Sequence, residues 1–144
     1  MTEALHIACP HCQTINRLPV SHLEDKPTCG RCRKPLFEGR PLAFRTVDFD
    51  RFAARSDIPL VVDFWAPWCG PCRMMTPTFD QAAALLEPGF RLGKVNTEEE
   101  PALAARFGIR SIPTLAIFRH GREVARQTGA LGVQDIVRWV QGHA

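Results

Sequence analysis

The sequence predicts an α/β fold, a central mixed β-sheet flanked by helices, preceded by a small four-cysteine module. Three observations predict it. Beyond position 42, short apolar runs of strand length alternate with longer segments of helical periodicity. Four of the six cysteines fall within residues 1–34, as two C-x-x-C pairs separated by sixteen residues. The third C-x-x-C pair, Cys69 and Cys72, lies between a buried-strand pattern and a helix pattern.

The elements follow in order. Residues 1–34 lack long apolar periodicity and cannot bury enough core to fold unaided, so a bound metal is expected to supply stability there. Residues 35–42 carry two prolines and a glycine and read as a linker. The second domain is expected over residues 43–144. Residues 43–47 form a short strand candidate, and residues 48–56 a helix with Asp48 as N-cap. LVVDFW at 60–65 is a buried-strand run. Residues 71–86 form a long helix interrupted by Pro77, which removes an amide donor and is expected to kink it. Residues 90–96 are a third strand, and 101–107 a short helix that opens on proline and stops before Gly108. Two runs, 114–119 and 123–128, flank His120-Gly121-Arg122 as a hairpin. An amphipathic helix at 132–141 closes the chain. Met74 and Met75 read as helix packing.

Composition narrows the function classes. The chain of 144 residues is 45% hydrophobic and 23% charged, within the range of globular proteins. A net charge of +3 is too small to argue for a nucleic-acid partner. No apolar run approaches the length of a membrane span, and the N-terminal residues do not resemble a secretory signal. The expectation is therefore a cytoplasmic monomer without membrane or nucleic-acid contacts. In that compartment cysteines serve more often as metal ligands or catalysts than as structural bridges.

The first two pairs, Cys9/Cys12 and Cys29/Cys32, have the spacing C-x2-C-x16-C-x2-C of a four-cysteine zinc site. Two knuckles supply two thiolates each and close the tetrahedron, which makes one zinc ion structural and leaves no open position. Arg31, Arg33, Lys34 and His11 are available to offset the charge of four thiolates around Zn²⁺. His6, His11 and His22 are alternative ligands. Cys9-Pro10-His11-Cys12 also has the form of a redox dipeptide bridge, but the following QTINRLP offers no helical face.

The third pair sits where a helix N-terminus would favour a thiolate at Cys69. Pro71 suits the first turn. Cys72 lies deeper and is shielded. Such a pair supports two exchanges. Cys69 attacks a substrate disulfide, and Cys72 then resolves the mixed disulfide. This chemistry needs no directly bound flavin or nicotinamide, and no G-x-G-x-x-G follows any strand. Asp63 is an acid inside an apolar strand, and it requires a raised pKa or a partner. Lys94, the only lysine after position 41, either pairs with Asp63 or lies solvated on the surface. Trp65 reads more as core packing than as chemistry.

VVDFWAPWCGPC resembles the active-site stretch of thioredoxins. The resemblance spans residues 43–144 and includes Asp63, Trp65, Pro77, Ile112-Pro113-Thr114, Gly121 and Gly129. With two cysteine pairs in front, the whole chain resembles the bacterial thioredoxins that carry an N-terminal zinc domain. The resemblance implies the thioredoxin fold and protein-disulfide reductase activity. Electrons would come from NADPH through the flavoenzyme thioredoxin reductase, and oxidised proteins would be the substrates. It implies that Asp63, through water, assists deprotonation of Cys72, and that Lys94 neighbours it. It implies a cis Pro113 packed against the disulfide. Trp68, Gly70, Pro71, Ile112, Pro113, Gly129 and Ala130 would then form the substrate-binding patch, although a plain turn also accounts for Gly129 and Ala130. Pro67 stands where thioredoxins often carry an acid. The rival readings are a disulfide oxidase or isomerase, and a redox-inert holdase that uses the same patch.

Overall fold

An apolar run rich in β-branched and aromatic residues and broken only by Asp63, LVVDFW, makes the central strand, and TLAIFR makes its neighbour. A computed structural model describes residues 3–144. In it β1 (Ala4–Ala8) and β2 (Ile15–Pro19) precede five further strands. These are β3 (Leu42–Ala43), β4 (Leu60–Trp65), β5 (Arg91–Asn96), β6 (Thr114–Arg119) and β7 (Arg122–Thr128). The five form one sheet of order β3-β5-β4-β6-β7, with β4 at its middle. β4 pairs in parallel with β5, and β5 with β3. β6 runs antiparallel to both β4 and β7, so the sheet is mixed as expected.

Alternation along the strands divides the core in two. Leu60, Val62, Phe64, Val95, Ala116 and Phe118 face α1 (Phe49–Ala53) and α3 (Pro101–Arg106). Val61, Leu92, Leu115 and Ile117 face α2 (Gly70–Leu86) and α4 (Val133–Gln141). Gly93 is required on the first face. A Cβ there would fall inside the Phe44 ring. The β6–β7 hairpin turns on His120 and Gly121, both with positive φ (49° and 82°), the two-residue turn that matches strand twist.

Several bounds differ from expectation. The strand expected over 43–47 is limited to Leu42–Ala43. Phe44 N–H still reaches the Lys94 carbonyl (2.9 Å), but the chain then turns at Arg45. Asp48 stands at the N-cap position but does not cap α1. Its carboxylate instead accepts the Arg45 N–H (2.8 Å) and the Arg45 Nε (3.3 Å). The helix ends at Ala53, short of Ser56. Helix α2 continues through Pro77 to Leu86. Met75 is buried against Phe79 and α4, as packing requires, whereas Met74 is 76% exposed. Reading both methionines as packing is therefore wrong for Met74, which points away from the sheet.

The N-terminal residues form a hairpin around the first cysteine knuckle, and its strands β1 and β2, which the sequence reading did not mark, pair antiparallel. This hairpin joins Cys29, Leu36 and Ile58 in a third apolar cluster with Ile7, Cys9 and Leu18. Leu36, from the segment read as a linker, is 1% exposed. The cysteine module thus packs at the N-terminal end of β4, beside Ile58 and α1.

Candidate functional site

Two sulfur groups occupy opposite ends of β4. Cys69 and Cys72 follow its C-terminal end, while the other four cysteines pack near its N-terminal end, beside Ile58. A six-residue strand spans roughly 20 Å, which sets the two groups apart along the sheet.

At the C-terminal end, Cys69 is the N-cap of α2 with extended backbone (φ −84°, ψ 113°). It is joined to Cys72 in a disulfide, with Cα atoms 5.2 Å apart. The Cys72 N–H donates to Cys69 Sγ at 3.2 Å. One of the unpaired donors of the helix N-terminus is therefore aimed at the sulfur, which stabilises negative charge there once the bridge opens. Cys69 is 5% exposed and Cys72 1%, so an incoming disulfide reaches Cys69 first.

Loops complete the surroundings. Ile112 O lies 3.8 Å from Cys69 Sγ. The Ile112–Pro113 bond is cis, and the Pro113 carbonyl accepts the Gly129 N–H at 2.9 Å. The structure thereby gathers Cys69, Ile112, Pro113 and Gly129 from separate stretches of the chain. Trp68 is 66% exposed beside the pair. Pro71, Gly129 and Ala130 are exposed, and Gly70 and Ile112 half-buried.

Asp63 is fully buried on the face of β4 that supports α2, and neither carboxylate oxygen has a hydrogen-bond partner. Burial pushes its pKa up to about 7, against the opposing pull of Lys94. Lys94 is its register partner on β5, but the expected pairing is not a contact. Lys94 Nζ instead lies 4.7 Å from the centre of the Trp65 ring and 3.5 Å from Thr76 Oγ1. Trp65 thus has a role that the sequence reading missed, as a platform for the lysine.

At the other end, the sulfurs of Cys9, Cys12, Cys29 and Cys32 all lie within 4.8 Å of one another. Cys9–Cys32 and Cys12–Cys29 stand at 3.6 Å. A tetrahedron with Zn–S bonds of about 2.3 Å has edges of about 3.8 Å, so the four residues fit a zinc ion. Donors already aim at the sulfurs. His11 and Cys12 N–H reach Cys9 at 3.3 and 3.4 Å, and Arg31 N–H reaches Cys29 at 3.3 Å. Burial pushes the Cys9 thiol up to about 12. At Cys29 burial acts the same way, but donors from Cys32, Asn16 and Arg31 outweigh it and lower the thiol to about 6. No histidine joins the four sulfurs among the described residues: His22 is exposed, and His6 and His11 are engaged elsewhere. His11 Nε2 meets Glu38 at 2.6 Å, and His6 Nδ1 meets Asp57 at 3.0 Å. Sequence reasoning also missed Arg91 and Glu87, whose buried side chains lie 4.0 Å apart beneath this module. Their spacing of four on a glycine-and-proline turn was the available signal.

Among the described residues, no helix is long and apolar enough to cross a membrane.

Comparison with known proteins agrees with this geometry. The Thioredoxin family profile matches residues 41–142, and the profile described as "Thioredoxin 2, N-terminal" matches residues 8–34. The chain is 40% identical over 134 residues to "Thioredoxin C-3" of Corynebacterium nephridii, covering 93% of this chain and 92% of that protein. It is 48% identical over 88 residues to "Thioredoxin 1" of Nostoc sp., covering 61% and 82%. Among solved structures, a single-site mutant of a thioredoxin from Halobacterium salinarum superposes with a TM-score of 0.66 at 27% identity, covering 74% of this chain and 92% of that one. With a helix-capping Cys69–Cys72 disulfide, a mixed five-stranded sheet and a zinc-ribbon cysteine cluster in one chain, the protein belongs to the thioredoxin family of thiol–disulfide oxidoreductases.

Proposed function

We propose that the chain is a general protein-disulfide reductase in which Cys69 is the nucleophile and Cys72 the resolving cysteine. The observation that carries this reading is the position of Cys69 Sγ at the N-terminus of α2, within reach of the Cys72 N–H and beside the Ile112 carbonyl. In the reduced protein the Cys69 thiolate attacks one sulfur of a substrate disulfide. A Cys69–substrate disulfide forms, and the other substrate sulfur leaves as a thiolate. Cys72 then loses its proton toward Asp63, whose raised pKa suits an acceptor near neutral pH. Its sulfur attacks Cys69 Sγ, the substrate leaves as a dithiol, and the Cys69–Cys72 disulfide of this structure results.

Trp68, Gly70, Pro71, Ile112, Pro113, Gly129 and Ala130 form the docking patch for an extended, oxidised protein segment. A low apolar patch of this kind suits extended segments held by backbone contacts and small pockets. Family membership supports NADPH and thioredoxin reductase as the electron source. Cys9, Cys12, Cys29 and Cys32 hold one structural zinc ion, which stabilises the module and takes no part in the exchange.

The test is the reduction potential of Cys69/Cys72 in a defined thiol buffer, read by Trp68 and Trp65 fluorescence. A value of about −270 mV, the general reference for thioredoxins, supports the reductase reading. A value near about −180 mV or higher moves the chain to isomerase or oxidase chemistry and overturns it.

A further inference from the structure

Arg91 is the largest fully buried side chain among the described residues, 2% exposed at the first position of β5. A buried guanidinium needs partners for its donors and a counter-charge. Its Nη2 donates to the Ala8 carbonyl at 3.2 Å. Its plane covers the Phe37 ring, 4.3 Å from the centroid. Its nearest acid is Glu87 at 4.0 Å, too far for a good hydrogen bond, and Arg91 Nε and Glu87 Oε2 both lack partners. The Glu87 carboxylate is held instead by the Gly39 N–H at 3.0 Å. This pairing alone accounts poorly for a charge so deeply buried.

The other side of the guanidinium explains it. Ala8 immediately precedes the zinc-type ligand Cys9, and both of its backbone groups are held by side chains of the thioredoxin domain. Its N–H donates to Ser56 Oγ at 3.1 Å, and its carbonyl accepts from Arg91. The same strand edge is tied at His6, where the His6 N–H reaches Asp57 Oδ2 (2.6 Å) and the Asp57 N–H reaches the His6 carbonyl (2.7 Å). Four thiolates around Zn²⁺ carry a net charge of −2, and the buried Arg91 cation, bonded to the residue before Cys9, offsets part of it.

We propose that Arg91 belongs to the zinc centre as a positioning residue. It is contributed by the central sheet, fixes the backbone that leads into Cys9, and supplies buried positive charge beside the four thiolates. The inference rests on the zinc reading of the cysteine cluster. The groups that orient the metal's ligands then come partly from the redox domain.

The experiment compares full-length, zinc-loaded wild type, Arg91→Met, Arg91→Lys and Ser56→Ala. Zinc transfer to a chromophoric chelator gives the affinity and the rate of loss. Hydrogen exchange in β4 and β5 reports whether the sheet is intact. Arg91→Met is expected to lose zinc affinity about tenfold or more, Arg91→Lys to recover part of it, and Ser56→Ala to show a smaller loss. An intact Arg91→Met variant that holds zinc as wild type does would overturn the proposal. If Arg91→Met does not fold, wild-type zinc affinity in both Arg91→Lys and Ser56→Ala would overturn it instead. A wild-type protein that binds no zinc would overturn the zinc reading itself, which separates the two failures.

Discussion

Asp63 and Lys94 stand directly opposite each other on β4 and β5, yet no ion pair joins them. The lysine extends over the Trp65 ring and reaches Thr76, while the carboxylate remains enclosed with both oxygens unpartnered. Lys94 therefore acts on Asp63 through space. It lowers the proton affinity that burial raises, but does not cancel the effect. A direct bridge would have pulled the pKa of Asp63 down and left its carboxylate a weak base. Separation leaves it with a pKa of about 7, where it can take up and release a proton under ordinary conditions.

The pH dependence of stability tests this arrangement. The folded pKa of Asp63 is raised from 3.8 to about 7, so the folded state binds a proton more tightly than the unfolded chain does. The contribution of this group to stability is greatest below about pH 4. It declines as pH rises toward 7 and is flat above. Asp63→Leu removes that slope. Measured by urea unfolding of the disulfide form, the stability advantage of the variant should grow by up to about 4 kcal/mol between pH 4 and 7, then stop growing. An advantage independent of pH would show that Asp63 does not titrate in this window. The same variant should slow resolution of the mixed disulfide if Asp63 is the proton acceptor for Cys72.

Replacing Lys94 separates its two contacts. Lys94→Met removes the positive charge, so the Asp63 titration, followed by carboxyl carbon NMR, should move to higher pH. The limb of the reductase pH profile that reports Asp63 should move with it. Loss of the lysine from the Trp65 face should also change Trp65 emission and cost about 0.5–2 kcal/mol. An unmoved Asp63 titration would mean that Lys94 is merely a ring-packing residue.

Met74 and Met75 are adjacent in sequence and opposite in consequence. Met75 is 1% exposed within the α2–α4 core and receives the Leu131 N–H at its sulfur (3.5 Å). Met75→Ala should cost about 2–5 kcal/mol. Met74 is 76% exposed, so Met74→Gln should change stability by less than about 0.5 kcal/mol. Thermal unfolding of the two variants decides. A large loss in the Met74 variant would mean that its side chain packs against the protein instead of pointing into solvent.

Periodicity and punctuation made most of the redox domain legible. LVVDFW, the Pro101 helix start and the His120-Gly121 turn all act through local sterics and short-range apolar spacing. The nucleophile was legible for the same reason, since Cys69 needs only to precede a helix. What local rules could not reveal lies across long separations. Ile112 reaches Cys69 across 43 residues, and Arg91 reaches Ala8 across 83. Asp48 looked like a cap, but the Arg45 backbone competed for its carboxylate. Ala4–Ala8 and Ile15–Pro19 are poor in β-branched and aromatic residues and so did not read as strands, and they pair across the cysteine knuckle between them.

The segment at 35–42 gives the sharpest contrast between composition and packing. Two prolines and a glycine mark it as a connector, yet Leu36 is 1% exposed and packs with Ile7, Cys9, Leu18, Cys29 and Ile58. The Leu36 N–H also bonds the Pro27 carbonyl at 3.0 Å, and the Gly39 N–H bonds Glu87. A free linker would tolerate truncation of one leucine with almost no cost. A docked one loses buried area and leaves a cavity between the cysteine module and the residues leading into β4. Leu36→Ala should therefore destabilise the protein by about 2–5 kcal/mol. It should also speed amide exchange at residues 36–39 and limited proteolysis in the same stretch. Retention of wild-type stability and exchange would mean that the segment is a passive tether and that the two domains fold independently.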